Sequence, residues 1–136
     1  MNNTFLKVYI DGASWGNPGK CSIGIVIKDN WSDNILEHSE MIGKGTNNFA
    51  EFSAFSIALT KLLFLEFNED EIEFFSDSKL LVDGINKKYN FKKTPPLNKL
   101  MGKIRNKLKM LEKPYSVIYI PRESNFEADL LTKKCA

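Results

Sequence analysis

Apolar and polar residues alternate through Val8 and Ile10 and again through Ile23, Ile25 and Ile27. This period of two puts one set of side chains on one face of an extended chain. Between the two runs stand Gly12, Gly16, Asn17, Pro18 and Gly19, the residue types that turns use. The pattern predicts a strand over Phe5 to Asp11, a turn, and a second strand over Ser22 to Lys28. A third follows over Ile35 to Ile42, after a turn at Asp29 to Asn34. The connections are too short for a crossover, so the three strands form an antiparallel meander. Gly43, Gly45, Thr46, Asn47 and Asn48 break the alternation, and from Phe49 to Phe64 the spacing becomes helical. Phe52, Phe55, Leu59 and Leu62 recur every three or four positions, and Asn47 or Asn48 is the natural N-cap.

The second half alternates helix and strand. Glu71 to Phe75 is a short strand, followed by Ser76-Asp77-Ser78 and a helix from Lys79 to Lys87. Thr94-Pro95-Pro96 opens a helix over Leu97 to Leu111, with Leu100, Ile104, Leu108 and Leu111 along one side, and Pro114 stops it. Tyr115 to Ile120 is the last strand, Pro121 to Asn125 a loop, and Phe126 to Lys134 a final helix. No repeat or long linker divides the chain, so residues 1–136 are expected to form one domain. The order βββαβααβα is that of an α/β fold with a mixed sheet flanked by helices. If the fourth and fifth strands run parallel to the first, the carboxyl ends of strands one and four are neighbours. Ligands bind at that end of open α/β sheets, and Asp11 and Asp77 both stand there.

Composition narrows the class. With 136 residues, 43% hydrophobic and 26% charged, the chain is an ordinary globular domain. No apolar run approaches the roughly 20 residues that cross a bilayer, and the first residues lack a signal-peptide pattern. The expected setting is cytoplasmic, with no membrane partner. Cys21 and Cys135 lie far apart, outside any CxxC or Cys/His cluster, so two reduced thiols are expected rather than a zinc site. A net charge of +2 hides an uneven distribution. Lys87, Lys88, Lys92, Lys93, Lys99, Lys103, Arg105, Lys107, Lys109 and Lys113 make the stretch before the last strand strongly basic. Such a block is either a solvated helix face or a grip for phosphate backbones.

Two aspartates on neighbouring strand ends are the start of a site for a hard divalent cation, which takes carboxylate oxygen on rigid elements. Each acid also admits a structural reading. Asp11-Gly12 is a common turn dipeptide, Glu51 suits the positive end of a helix dipole, and Asp77 lies in good N-cap sequence. Asp129 reads equally as a plain helical acid. Their joint appearance at element ends is more informative than any one of them.

Four stretches carry a resemblance. DGASWGNPG (Asp11 to Gly19), TNNFAEFSAFSIAL (Thr46 to Leu59), FSDSKLLVDGI (Phe75 to Ile85) and PRESNFEADLL (Pro121 to Leu131) resemble, in order, the four signature blocks of the type 1 ribonuclease H family. The resemblance implies a ribonuclease H-like fold with a five-stranded mixed sheet in the order 3-2-1-4-5, strand 2 antiparallel. It further implies a metal-dependent endonuclease that cuts the RNA strand of RNA/DNA hybrids and leaves 5′-phosphate products, using two Mg2+ or Mn2+ ions. By matching position, Asp11, Glu51, Asp77 and Asp129 would be the catalytic, metal-binding carboxylates, with Asp11 bridging the ions. Substrate contacts would fall to Gly12, Asn17, Thr46, Asn47, Asn48 and Arg122. The partner would be the hybrid, and a monomer is the default.

Two departures stand out. Many family members place a histidine in the loop before the last acid, whereas Ile120-Pro121-Arg122-Glu123-Ser124-Asn125 has none and Arg122 takes that place. Arginine stays protonated near neutral pH and cannot act as a base there, but it can attract the scissile phosphate. The only histidine, His38, falls on the third strand, where a structural or exposed role is expected. The tryptophan-rich basic handle of some bacterial members is also missing; Lys87, Lys88, Lys92 and Lys93 are its electrostatic substitute. A resolvase- or transposase-like nuclease acting on DNA, and a non-catalytic nucleic-acid-binding module, are the alternatives on this reading.

Overall fold

The computed structural model describes residues 2–135. Its elements run β1 (Phe5–Gly16), β2 (Gly19–Lys28), β3 (Asn34–Gly45), α1 (Asn47–Leu63), β4 (Glu71–Ser76), α2 (Lys79–Asn86), α3 (Pro95–Met110), β5 (Tyr115–Tyr119), a 3-10 turn (Arg122–Asn125) and α4 (Phe126–Lys134). The five strands form one sheet in the expected order β3-β2-β1-β4-β5. β1 and β2, like β2 and β3, pair antiparallel; β1 and β4, like β4 and β5, pair parallel.

Three boundaries differ from expectation, each for a local reason. The glycine-bearing stretch after Asp11 does not open into a loop. β1 continues to Gly16 and β2 begins at Gly19, leaving only Asn17 and Pro18 between the paired ends. A side chain at Gly19 would put its Cβ 2.3 Å from the Trp15 carbonyl oxygen, so this close return of the chain requires glycine. Asp11 is therefore an interior residue of β1 and not a strand end. The N-cap of α1 is Thr46 and neither Asn47 nor Asn48, because the Thr46 hydroxyl accepts from the Phe49 N–H at 3.1 Å. The helix before the last strand begins at Pro95, where proline's missing N–H is no loss in a first turn.

Adjacent strand residues point to opposite faces, and glycines at two of them show what covers each face. Gly12 pairs with Ile23, and a Cβ there would lie 2.3 Å from the Ala50 carbonyl carbon, so α1 rides on that face. Asp11 pairs with Gly24, whose Cβ would lie 2.1 Å from the Ala128 carbonyl oxygen, so α4 rides on the other. The core lies under α1. Leu6, Val8, Ile10, Ile23, Ile25, Ile27, Ile72 and Phe74 of the sheet and Phe52, Phe55 and Leu59 of α1 are fully buried there. Phe55 meets Phe74 with ring centroids 4.7 Å apart. Truncating one of these rings to alanine typically costs about 3–5 kcal/mol. His38 on β3 pairs with Glu40, its Nε2 2.8 Å from Oε1, as a surface contact.

Candidate active site

The parallel pairing of β1 with β4 ends at Tyr9 opposite Phe75. Two residues beyond that pair come Asp11, still within β1, and Asp77, one residue past the end of β4. Glu51 enters from α1, one residue after the Ala50 backbone that the bare Gly12 allows against β1. Asp11, Glu51 and Asp77 consequently each offer a carboxylate oxygen within 4.8 Å of the other two. Asp129 reaches the same cleft from the first turn of α4, but outside this tight triad. Its Oδ2 stands 3.2 Å from Lys133 Nζ, one turn further along the helix.

The triad is under electrostatic strain. Asp11 is only 5% exposed, and burial, followed by the neighbouring charge of Asp77, pushes its carboxyl up to about 7. Glu51 is pushed well above the usual carboxylate range, by burial first and then by the charges of Asp11 and Asp77. Burial raises Asp77 as well, opposed by the Arg122 guanidinium. One oxygen of Glu51, Oε2, is buried with no hydrogen-bond partner. Three close, desolvated acids and an unpartnered carboxylate oxygen fit the donor set of a hard divalent cation, which accepts oxygen ligands and relieves their repulsion.

The cleft encloses about 430 Å³ and is walled by the acids, by Gly12, Ser14 and Trp15 of β1, by Asn47, and by Tyr119, Arg122 and Lys133. Of the expected contact residues, Gly12, Asn47 and Arg122 line the cleft, whereas Asn17, Thr46 and Asn48 do not. The Asn17 side-chain oxygen accepts from the Asn47 N–H at 3.2 Å, and the Asn47 side-chain oxygen accepts from the Ser14 N–H at 3.2 Å, which ties the β1–β2 hairpin tip to the start of α1. Thr46 caps the helix there, and Asn48 is exposed beside it. Gly12 donates its N–H to Asp11 Oδ1 at 3.0 Å as well as clearing space for α1. Tyr119 and Lys133 were not expected from sequence. Lys133 had a signal, its i+4 spacing from Asp129, whereas nothing local marks Tyr119. The lysines at 87, 88, 92 and 93 lie exposed on the α2–α3 connection and outside the cleft.

Among the described residues no helix is long and apolar enough to cross a membrane. Cys21 and Cys135 are both free thiols.

The sequence profile of a family described as reverse transcriptase-like matches residues 9–135. The chain is 32% identical over 129 residues to ribonuclease HI of Halobacterium salinarum, covering 95% of this chain and 63% of that protein, so it spans under two thirds of that relative's length. It is likewise 32% identical over 134 residues to the EbsB protein of Enterococcus faecalis, covering 95% of this chain and 92% of that one. Among solved structures, Halobacterium salinarum RNase H1 superposes with a TM-score of 0.87 at 31% identity, covering 96% of each chain. LC11-RNase H1, isolated from compost by a metagenomic approach, was solved in complex with an RNA/DNA hybrid. It superposes at 0.87 with 33% identity, covering 95% of this chain and 94% of that one.

Proposed function

The chain belongs to the reverse transcriptase-like family with the ribonuclease H-like fold, and on that premise we propose that it is an endonuclease that hydrolyses the RNA strand of RNA/DNA hybrids, leaving 5′-phosphate ends. The observation that carries the reading is the meeting of Asp11, Glu51 and Asp77 oxygens within 4.8 Å. A binding module for polyanions gains nothing from three clustered acids that would repel phosphates.

Asp11, Glu51, Asp77 and Asp129 would hold two Mg2+ or Mn2+ ions. Such a pair of cations, when bound, makes an attacking water more acidic and offsets the charge on the leaving oxygen of a phosphodiester. The protein's own contribution is placement. β1, α1 and the end of β4 just before Asp77 would hold the three carboxylates in place before substrate arrives, which spares that reorganisation during the reaction. Arg122 brings a permanent positive charge to the same cleft, where a scissile phosphate would enter.

Substrate choice is assigned to the polar rim. Asn47, which lines the cleft, together with Asn17, Thr46 and Asn48 beside it, would present amides and a hydroxyl to the 2′-hydroxyls that distinguish RNA from DNA. The Gly12 backbone would lie close to the same strand. The lysines on the α2–α3 connection would hold the DNA strand by its phosphates, a contact that weakens as salt rises. LC11-RNase H1, the relative solved with a hybrid, supports this choice of partner. We place the enzyme in a reducing compartment such as the cytoplasm, in keeping with its two free thiols, and acting as a monomer.

The test is a comparison of three labelled substrates, an RNA/DNA hybrid, duplex RNA and duplex DNA, each with Mg2+ and with EDTA. Cleavage confined to the RNA strand of the hybrid and dependent on Mg2+ is expected. Preferential cutting of duplex DNA would move the chain to the resolvase- or transposase-like alternative, and no cutting at all to the binding module.

A further inference from the structure

Asn125 is 1% exposed and closes the 3-10 turn immediately before α4. It occupies the N-cap position of α4, yet no side-chain capping bond is made there. The amide is turned to β1 instead, where Nδ2 donates to the carbonyl oxygen of Ile10 at 2.7 Å. A carbonyl only accepts, so the identity of this bond fixes the orientation of the amide. The bond grips the residue directly before Asp11. Four residues on, α4 delivers Asp129.

The other end of the amide makes no bond. Oδ1 is buried without a partner, a cost that an apolar residue at this position would avoid. A residue that neither caps its helix nor satisfies its own oxygen is poorly explained by packing or helix initiation. Its reach to β1 explains it better.

We infer that Asn125 is a positioning residue, which locks the start of α4 to β1 and so sets the spacing of Asp11 and Asp129 that ion binding needs. The inference rests on the nuclease reading proposed above. Asn125 touches no substrate atom; it acts through the carboxylates.

Two variants test it. Asn125→Asp keeps the shape and removes both N–H donors, and Asn125→Ser removes the reach. Each is compared with wild type by Mn2+ titration calorimetry, by kcat and KM on a labelled hybrid, and by thermal unfolding, with assays run well below the unfolding midpoint. The expected result is a fall of about 10- to 100-fold in Mn2+ affinity and in kcat, the range typical when a partner that orients metal ligands is lost, with KM for the hybrid unchanged. Wild-type Mn2+ affinity and kcat in a folded variant would overturn the inference, as would losses no larger than the unfolded fraction. Failure of both variants to fold would overturn it too, by making Asn125 a folding determinant. A wild-type protein that neither binds Mn2+ nor cleaves the hybrid would instead remove the nuclease reading itself.

Discussion

Replacing Gly12 by alanine should damage the site through geometry alone. The added Cβ would stand 2.3 Å from the Ala50 carbonyl carbon and 2.5 Å from both the Ala50 oxygen and the Glu51 nitrogen, whereas ordinary contact begins near 3.4 Å. All three neighbours are backbone, so no side chain can swing aside. The start of α1 must retreat from β1 by about 1 Å, the difference between 2.3 and 3.4 Å, and Glu51 retreats with it. Overpacking of this kind costs about 1–3 kcal/mol of stability. A misplacement of about 1 Å at reacting groups costs on the order of 10²-fold in rate. Gly12→Ala should therefore remain folded with a lowered melting temperature, lose about two orders of magnitude in kcat on a labelled hybrid, and need more Mg2+ for half-maximal activity. The assay pairs steady-state cleavage across a Mg2+ series with thermal melts of the same preparation. A folded variant with wild-type kcat and Mg2+ requirement would refute the claim that close β1–α1 contact sets the triad.

Two further outcomes follow from the same geometry. Asp11 titrates near 3.8 when unfolded and at about 7 in the fold, so between these values the folded protein binds more protons and its stability falls as pH rises. At about 1.4 kcal/mol per pH unit this is on the order of 4 kcal/mol. Melts in EDTA should drop from pH 5 to pH 8, and Mg2+ should raise the midpoint more at pH 8; an equal Mg2+ effect at both would contradict the reading. Gly24→Ala would put a Cβ 2.1 Å from the Ala128 carbonyl oxygen and push α4 outward with Asp129. Cleavage should fall and Mn2+ affinity, measured by calorimetry, should weaken with it; wild-type turnover and affinity in the folded variant would count against a role for Asp129.

Much of this was legible in the residue order. Alternation through Val8 and Ile10 and through Ile23 to Ile27 gave β1 and β2, and the run from Phe49 gave α1, because periodicity records which side of an element is buried. The sheet order 3-2-1-4-5 followed from the resemblance of four blocks, and the placement of Asp11 beside Asp77 from parallel pairing of strands one and four. What stayed hidden depends on neighbours distant in sequence. Gly16 and Gly19 read as loop residues, but they sit at the paired ends of β1 and β2. Asn47 and Asn48 looked like caps, yet Thr46 has the dihedral and the hydroxyl in place, and Asn47 serves the hairpin instead. Gly12 and Gly24 carry no local sign of the helix backbones lying against them. Asn125 reads as a loop residue until the fold buries it beside Ile10. Asp129 was expected with the other acids, and it does reach the cleft, but it stands outside the triad and leans on Lys133.

The most direct measurement compares Asp11→Asn and Asp77→Asn with wild type, reading RNA-strand cleavage and hybrid binding on the same labelled duplex in Mg2+. Cleavage should be abolished in both variants while binding to the hybrid stays near the wild-type level, since the rim and the lysine-bearing connection are untouched. Unchanged turnover in both would contradict the proposal that these carboxylates hold the ions that cut the strand.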